Sequence, residues 1–237
     1  MKELIFEDYK FLSIDIGKVN FVFSTAENDL NFNKALPQGQ ENLKRLEEWF
    51  KLDGVGYLNQ KHSDIVKIYK DNNVDGDAMI TDLKNFAIGV FTADCVPILL
   101  YDNVNNVIGA VHSGWRGTVS DIVIKTIEKM SLIYKTKPKD LIAYIGPHNR
   151  GCCYEVGEEV LQKFRDNIIF KNLNYISGRK INLEACIEKQ LLVSGLQIEN
   201  IMDIGLCTSC SKSYKLHSYR KSSGHYGRMY SFIFIKN

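Results

Sequence analysis

Three short segments each carry one good ligand for a soft metal ion at the end of an apolar run. Residues 59–64 hold His62, residues 92–95 hold Cys95, and residues 110–117 hold His112. Two imidazoles and a thiolate would give zinc three protein ligands, and an open fourth position is what separates a catalytic zinc site from a structural one. If His62, Cys95 and His112 converge in space, the chain is a metalloenzyme and not a metal-stapled fold. Singly, each has a plainer reading: a histidine at a strand end, or a cysteine acting as a small buried hydrophobe. Cys95 and His112 could also work without a metal, as nucleophile and base of a cysteine hydrolase or deamidase. His62 discriminates, because a Cys–His pair leaves a second histidine no essential part. A His2Cys set also suits a trigonal copper centre.

Other reactive groups cluster near these ligands. Asp94 precedes Cys95. Neighbouring side chains on a strand point to opposite faces, so Asp94 turns away from a metal at Cys95 unless Pro97 bends the chain. It either holds backbone and imidazole groups or moves a proton. Asp75-Gly76-Asp77 reads first as a turn, and Asp77 could also hold a ligating histidine. Arg116 follows His112 by four residues and could bind phosphate in a bidentate way, or stack on Trp115. Arg220 and Arg228 raise the same question. Cys152-Cys153 reads as a buried vicinal pair. Cys207-Thr208-Ser209-Cys210 has the spacing of a redox dithiol or of half a zinc ribbon, but no second C-x-x-C exists and no helix pattern follows it, so structural thiols are expected. His148 follows a strand end and could line the pocket, whereas His217 and His225 lie in a polar segment that reads as exposed.

The elements that must position these groups follow from hydrophobic periodicity. Runs 11–15 and 21–25 read as a hairpin around Gly17-Lys18, and 40–51 as an amphipathic helix through Leu43, Leu46, Trp49 and Phe50. Strands are expected over 54–57, 65–69, 87–91, 96–101, 107–112, 141–145 and 200–206. Helices are expected over 119–134, 158–164 and 183–194, the last closed by Gly195, and a hairpin tail over 218–235 turning at Ser222-Ser223-Gly224. Irregular alternation of helices and hairpins predicts an α+β (mixed α/β) fold, with no Gly-rich phosphate or dinucleotide motif after a strand. Without repeats or a Pro/Gly/Ser linker, residues 1–237 read as a single domain.

Composition narrows the function classes. A net charge of +2 gives no call for nucleic acid or an anionic membrane. The longest apolar run, 86–100, is broken by Thr92, Asp94 and Pro97 and falls short of the ~18 residues a span requires. Acidic residues interrupt any signal-peptide core at the start. A cytoplasmic protein with reduced thiols is the expectation, since six cysteines in 237 residues are no disulfide framework.

A family resemblance rests on blocks running in order from about residue 55 to the C-terminus. They are Gln60-Lys61-His62, Asp75-Gly76-Asp77-Ala78 with Thr81, Thr92-Ala93-Asp94-Cys95-Val96-Pro97, His112-Ser113-Gly114-Trp115-Arg116-Gly117-Thr118 and Ile145-Gly146-Pro147. Then come Cys152-Cys153-Tyr154-Glu155-Val156-Gly157, Cys207-Thr208, Ser218-Tyr219-Arg220 and Gly227-Arg228-Met229. The chain resembles the laccase-domain family, also called the purine nucleoside phosphorylase or polyphenol oxidase family. The resemblance implies a layered sandwich of mixed β-sheets flanked by helices, and one Zn2+ on His62, Cys95 and His112. It implies catalytic roles at those residues and Asp94, and substrate contacts from Gln60, Arg116, Arg220 and Arg228. The implied chemistry is phosphorolysis of adenosine, inosine, guanosine and methylthioadenosine, plus deamination of adenosine, by a monomer or small homo-oligomer. The family's fold also resembles a toxin deamidase domain that uses a Cys–His pair. Copper is less expected, because laccase oxidation needs several coppers and more than five histidines. The H-x-E and P-C-x-x-C signature of base deaminases is absent, so any deamination runs on a different scaffold.

Overall fold

The computed structural model describes residues 1–222 and 226–237. The chain opens with an antiparallel meander, β1 (Lys2–Phe6), β2 (Tyr9–Ile16) and β3 (Val19–Ser24), followed by helix α1 (Pro37–Phe50). Short strands β4 (Gly54–Gly56), β5 (Val66–Ile68) and β6 (Ala78–Thr81) lead to three longer ones, β7 (Phe86–Thr92), β8 (Val96–Asp102) and β9 (Val107–Ser113). Next come α2 (Trp115–Val119), α3 (Ile122–Tyr134), β10 (Leu141–Ile145), α4 (Glu158–Asp166) and a two-stranded ribbon of β11 (Ile176–Ser177) and β12 (Lys180–Ile181). Helix α5 (Leu183–Val193) and strands β13 (Ile201–Asp203) and β14 (Met229–Ile235) complete it.

Two six-stranded mixed sheets result, ordered β1-β2-β3-β14-β7-β4 and β13-β10-β8-β9-β6-β5. They pack face to face over Leu12, Phe21, Phe23, Met79, Ile88, Val90, Leu99, Ile108 and Ile233. The first sheet's outer face takes α1 through Leu43 and Leu46, on a layer holding Phe11, Phe32, Tyr230, Phe232 and Phe234. The second sheet's outer face takes α3, α4 and α5 through Ile122, Val123, Ile127, Leu161, Phe164, Ile187 and Leu191. This is the expected layered sandwich of mixed sheets flanked by helices. Strands β8, β9 and β14 are buried at every position. That explains their near-continuous apolar runs, since a strand covered on both faces has no need of alternation.

Several expected elements shift. The 119–134 helix is two helices broken at Asp121, whose φ is +60°, and the Gly114–Gly117 turn is taken up by α2. The Asp121 carboxylate accepts hydrogen bonds from Gln190 Nε2 (2.8 Å) and Asn167 Nδ2 (3.4 Å), contacts that hold the break. The tail is no hairpin: residues 218–220 form no strand, and β14 pairs instead with β3 and β7. Ser223 and Gly224 of the hairpin's expected turn, and His225, lie outside the described residues. Strand β6 arises just after the Asp75-Gly76-Asp77 turn, and β1 in the polar opening segment.

Candidate active site

The site forms where the chain crosses between the two sheets. β7 ends the first sheet's run at Thr92 and β8 begins the second's at Val96, so Ala93, Asp94 and Cys95 make the crossing alone. Asp94 takes φ +95°, a region costly for a residue with a Cβ. The β8–β9 register then sets Pro97 opposite His112, which brings Cys95 beside the imidazole. Asp77, just before β6, is tied to the same place: His112 N donates to Asp77 O at 2.7 Å. His62 lies in the loop between β4 and β5, with φ +58°.

The donor atoms of His62, Cys95 and His112 lie within 4.8 Å of one another. His62 Nε2 and Cys95 Sγ are 3.9 Å apart, and the imidazoles meet edge to face with centroids 5.0 Å apart. Gly114 sits against them, and a Cβ there would come 3.0 Å from Cys95 Sγ and 3.2 Å from His62 Cδ2. A side chain there would force the sulfur or the imidazole to give by a few tenths of an ångström.

One buried carboxylate organises the cluster. Asp77, fully shielded, accepts from the backbone N–H of Lys61 (3.1 Å), His62 (3.0 Å) and Ser63 (2.7 Å), from Ser63 Oγ (2.6 Å) and from His112 Nδ1 (2.8 Å). It therefore clamps the His62 loop and aims His112 together. An ionised carboxylate can only accept, so His112 Nδ1 must carry a proton and Nε2 is the ring nitrogen left free to ligate. Burial opposes ionisation of Asp77, but the His112 imidazole and the Ser63 hydroxyl win and hold its pKa at about 2. Burial likewise opposes a Cys95 thiolate, yet His112 and His62 bring its pKa down to about 6. His112 is pushed up to about 9 against its own burial by Cys95 and Asp77. Without a metal these two therefore form a thiolate–imidazolium pair. The donor set fits a zinc ion: two imidazoles and a thiolate already disposed to ionise, one imidazole oriented by a carboxylate.

These three side chains open onto a cavity of about 250 Å3, lined also by Asn33, Lys34, Leu58, Phe91, Thr92 and Arg228. Of the three arginines singled out in the sequence, Arg228 alone lines it. Its guanidinium lies 4.2 Å from the Tyr226 ring centroid and donates to Tyr226 OH at 3.0 Å. Arg116 is exposed and stacks on Trp115 at 4.4 Å. Arg220 donates to Glu155 O at 2.6 Å, over the Tyr154 ring. Neither lines the cavity. Gln60 lines it but has its amide committed: Nε2 donates to Phe91 O (2.8 Å) and Oε1 accepts from Phe91 N (2.7 Å), so it positions Phe91. The Asp94 carboxylate is committed too, accepting from Thr208 Oγ1 (2.6 Å) and Arg220 N (2.8 Å), while Asn149 N donates to its carbonyl (2.9 Å). These are the contacts of a loop organiser, the alternative to proton transfer at this position.

Three further expectations are corrected. His148 is wholly buried and does not line the cavity; its Nδ1 is spent on Gly146 O at 2.8 Å. His217 is half-buried, its Nε2 donating to Leu30 O at 2.8 Å. Cys152 and Cys210 are exposed. Lys34 was missed, because it lies in a loop without periodicity and reaches the cavity only through the fold.

A family profile described as multi-copper polyphenol oxidoreductase laccase matches residues 21–236. A purine nucleoside phosphorylase of Clostridium acetobutylicum is 47% identical over 232 residues, covering 97% of this chain and 98% of the relative. One of Borreliella burgdorferi is 35% identical over 178 residues, covering 70% of this chain and 74% of its own length. The crystal structure of the hypothetical protein YfiH of Bacillus licheniformis superposes with a TM-score of 0.86 at 26% identity, covering 98% of this chain and all of the other. Fold and site together define a laccase-like sandwich with a soft-ligand cavity at the sheet crossing. The chain belongs to the multi-copper polyphenol oxidoreductase laccase family, whose relatives named here are purine nucleoside phosphorylases.

Proposed function

We propose that residues 1–237 act as one domain and a zinc-dependent purine nucleoside phosphorylase, splitting adenosine, inosine, guanosine or methylthioadenosine into base and sugar-1-phosphate. The observation that carries this reading is the convergence of His62, Cys95 and His112 on a cavity holding two cations, Lys34 and Arg228, and an apolar wall of Leu58 and Phe91. Phosphorolysis breaks a glycosidic C–N bond through a cation-like sugar. It needs an anion site for phosphate, a surface for the base, and stabilisation of charge on the departing purine. Arg228 offers a fork of donors for phosphate oxygens. Gln60 fixes Phe91, whose ring can take the base. When bound, the metal supplies Lewis acidity at the cavity floor. Asp77 holds His112 in the ligating tautomer. Adenosine deamination is placed second, because among the described residues no carboxylate lines the cavity to shuttle protons.

One observation favours a second reading. Cys95, His112 and Asp77 also have the order of nucleophile, base and orienting carboxylate, with Cys95 held as a thiolate. Chromatography of adenosine incubated with purified protein, with and without phosphate and beside His62→Ala, separates the two. Phosphate-dependent adenine that disappears in the variant supports the phosphorylase. Intact nucleosides alongside hydrolysis of a glutamine amide support the cysteine hydrolase.

A further inference from the structure

A second cluster of soft ligands lies outside this cavity. Cys152 and Cys153 occupy the turn after β10, and Cys207 and Cys210 the loop after β13, more than fifty residues further along. All four sulfur atoms lie within 4.8 Å of one another, with Cys152 Sγ and Cys210 Sγ 3.6 Å apart. A tetrahedral ion with bonds of ~2.3 Å needs sulfur–sulfur edges of about 3.8 Å. A disulfide needs ~2.05 Å. One edge of 3.6 Å, with every sulfur within 4.8 Å of the others, suits four thiolates around a single ion and is tighter than a polynuclear iron–sulfur cluster needs, since its cysteines bind different irons.

The backbone supports the convergence. His148 and Cys207 form an isolated parallel bridge, with His148 N donating to Leu206 O (3.2 Å) and Thr208 N to His148 O (2.9 Å). Each loop then turns back on itself: Cys153 N donates to Arg150 O (2.8 Å) and Ser211 N to Cys207 O (2.9 Å). The Cys207-x-x-Cys210 spacing is one half of a zinc knuckle. The missing half is not another C-x-x-C but the vicinal pair, which is why spacing alone pointed to plain thiols. Cys207 is buried, Cys153 half-buried, and Cys152 and Cys210 exposed, so the cluster opens to solvent on one side and an ion can reach it.

We propose that Cys152, Cys153, Cys207 and Cys210 form a structural tetrathiolate site for a thiophilic divalent ion, zinc before others. Four protein ligands leave no position for substrate, so the site braces and does not catalyse. What it braces is the wall behind Cys95: Thr208 and Asn149, one residue from Cys207 and three from Cys152, are the groups that hold Asp94. The proposal is independent of the role given to His62, Cys95 and His112.

The test is elemental analysis of the full-length protein, purified under reducing conditions without chelator, as wild type, His62→Ala/His112→Ala and Cys152→Ser/Cys210→Ser. The expected zinc content is near one per chain in the cavity variant, and Cys152→Ser/Cys210→Ser should hold one ion fewer than wild type. The cavity variant, reloaded with cobalt, should show sulfur-to-cobalt charge transfer. Should Cys152→Ser/Cys210→Ser not fold, alkylation mapping of the wild type decides: zinc should protect all four thiols, and denaturation with chelator should expose them. A cavity variant free of metal, with these thiols alkylated as fast in zinc as without it, overturns the proposal. So does a Cys152–Cys210 disulfide in protein purified under reducing conditions.

Discussion

Replacing Asp77 by Asn is the perturbation that separates a metal-orienting carboxylate from a turn residue. Asn keeps the volume but removes the charge, and its single carbonyl oxygen cannot accept from three backbone amides, a hydroxyl and an imidazole at once. If its NH2 faces His112, the ring must accept at Nδ1, and Nε2 then carries the proton and cannot ligate. Orienting carboxylates of this kind are worth roughly 10–100-fold in metal affinity, so Asp77→Asn should weaken zinc binding by about that factor in a chelator competition. The metal-free protein should lose stability as well. The carboxylate falls from its ordinary 3.8 to about 2, which at ~1.36 kcal/mol per pH unit is about 2 kcal/mol of folding free energy. Because the folded value is depressed, this contribution is complete above about pH 4 and drains away as pH falls through about 2. Urea unfolding of the metal-free wild type and variant should therefore differ by about 2 kcal/mol at pH 7, and the gap should narrow below pH 4. Equal zinc affinity together with a stability gap that ignores pH would refute the reasoning.

Arg228→Ala should raise the KM for phosphate by about tenfold or more, the loss of a charged hydrogen-bonding pair, while zinc content stays at the wild-type level; phosphate kinetics and elemental analysis read the two. Gly114→Ala should cut zinc affinity with little effect on far-UV circular dichroism, because its Cβ would press on Cys95 Sγ and His62 Cδ2 at 3.0 and 3.2 Å. In metal-free protein the Cys95 thiol, held at about 6, should alkylate at a rate that falls off only below about pH 6. Peptide mapping should show that reactivity suppressed by zinc, and a profile centred near the ordinary thiol value of 9.0 would count against the thiolate–imidazolium pair.

The sequence carried the ligand types and the strand that ends beside His112, whereas His62 stands in a loop and Cys95 in the sheet crossing. Their convergence was not legible from spacing: it depends on the β8–β9 register and on a sheet crossing of three residues. Asp77 read as a turn, which it is, but its work is done on groups 14 to 35 residues away. Arg116 and Arg220 were equivalent to Arg228 in sequence, and only the fold shows that Arg228 lines the cavity and they do not. The tail misread as a hairpin shows the same limit from the other side. Residues 218–220 alternate plausibly, but Asp94 and Glu155 take Arg220 before a neighbouring strand can.

Either His62, Cys95 and His112 hold a metal or Cys95 attacks substrate unaided. Anomalous X-ray scattering collected on both sides of the zinc absorption edge, from crystals of protein purified without chelator, addresses this directly. The account predicts a zinc peak bonded to all three side chains at ~2.0–2.3 Å, with His112 Nδ1 still on Asp77. A density-free cluster in zinc-replete crystals, with Cys95 carrying a covalent adduct after soaking with an amide-directed electrophile, would contradict it.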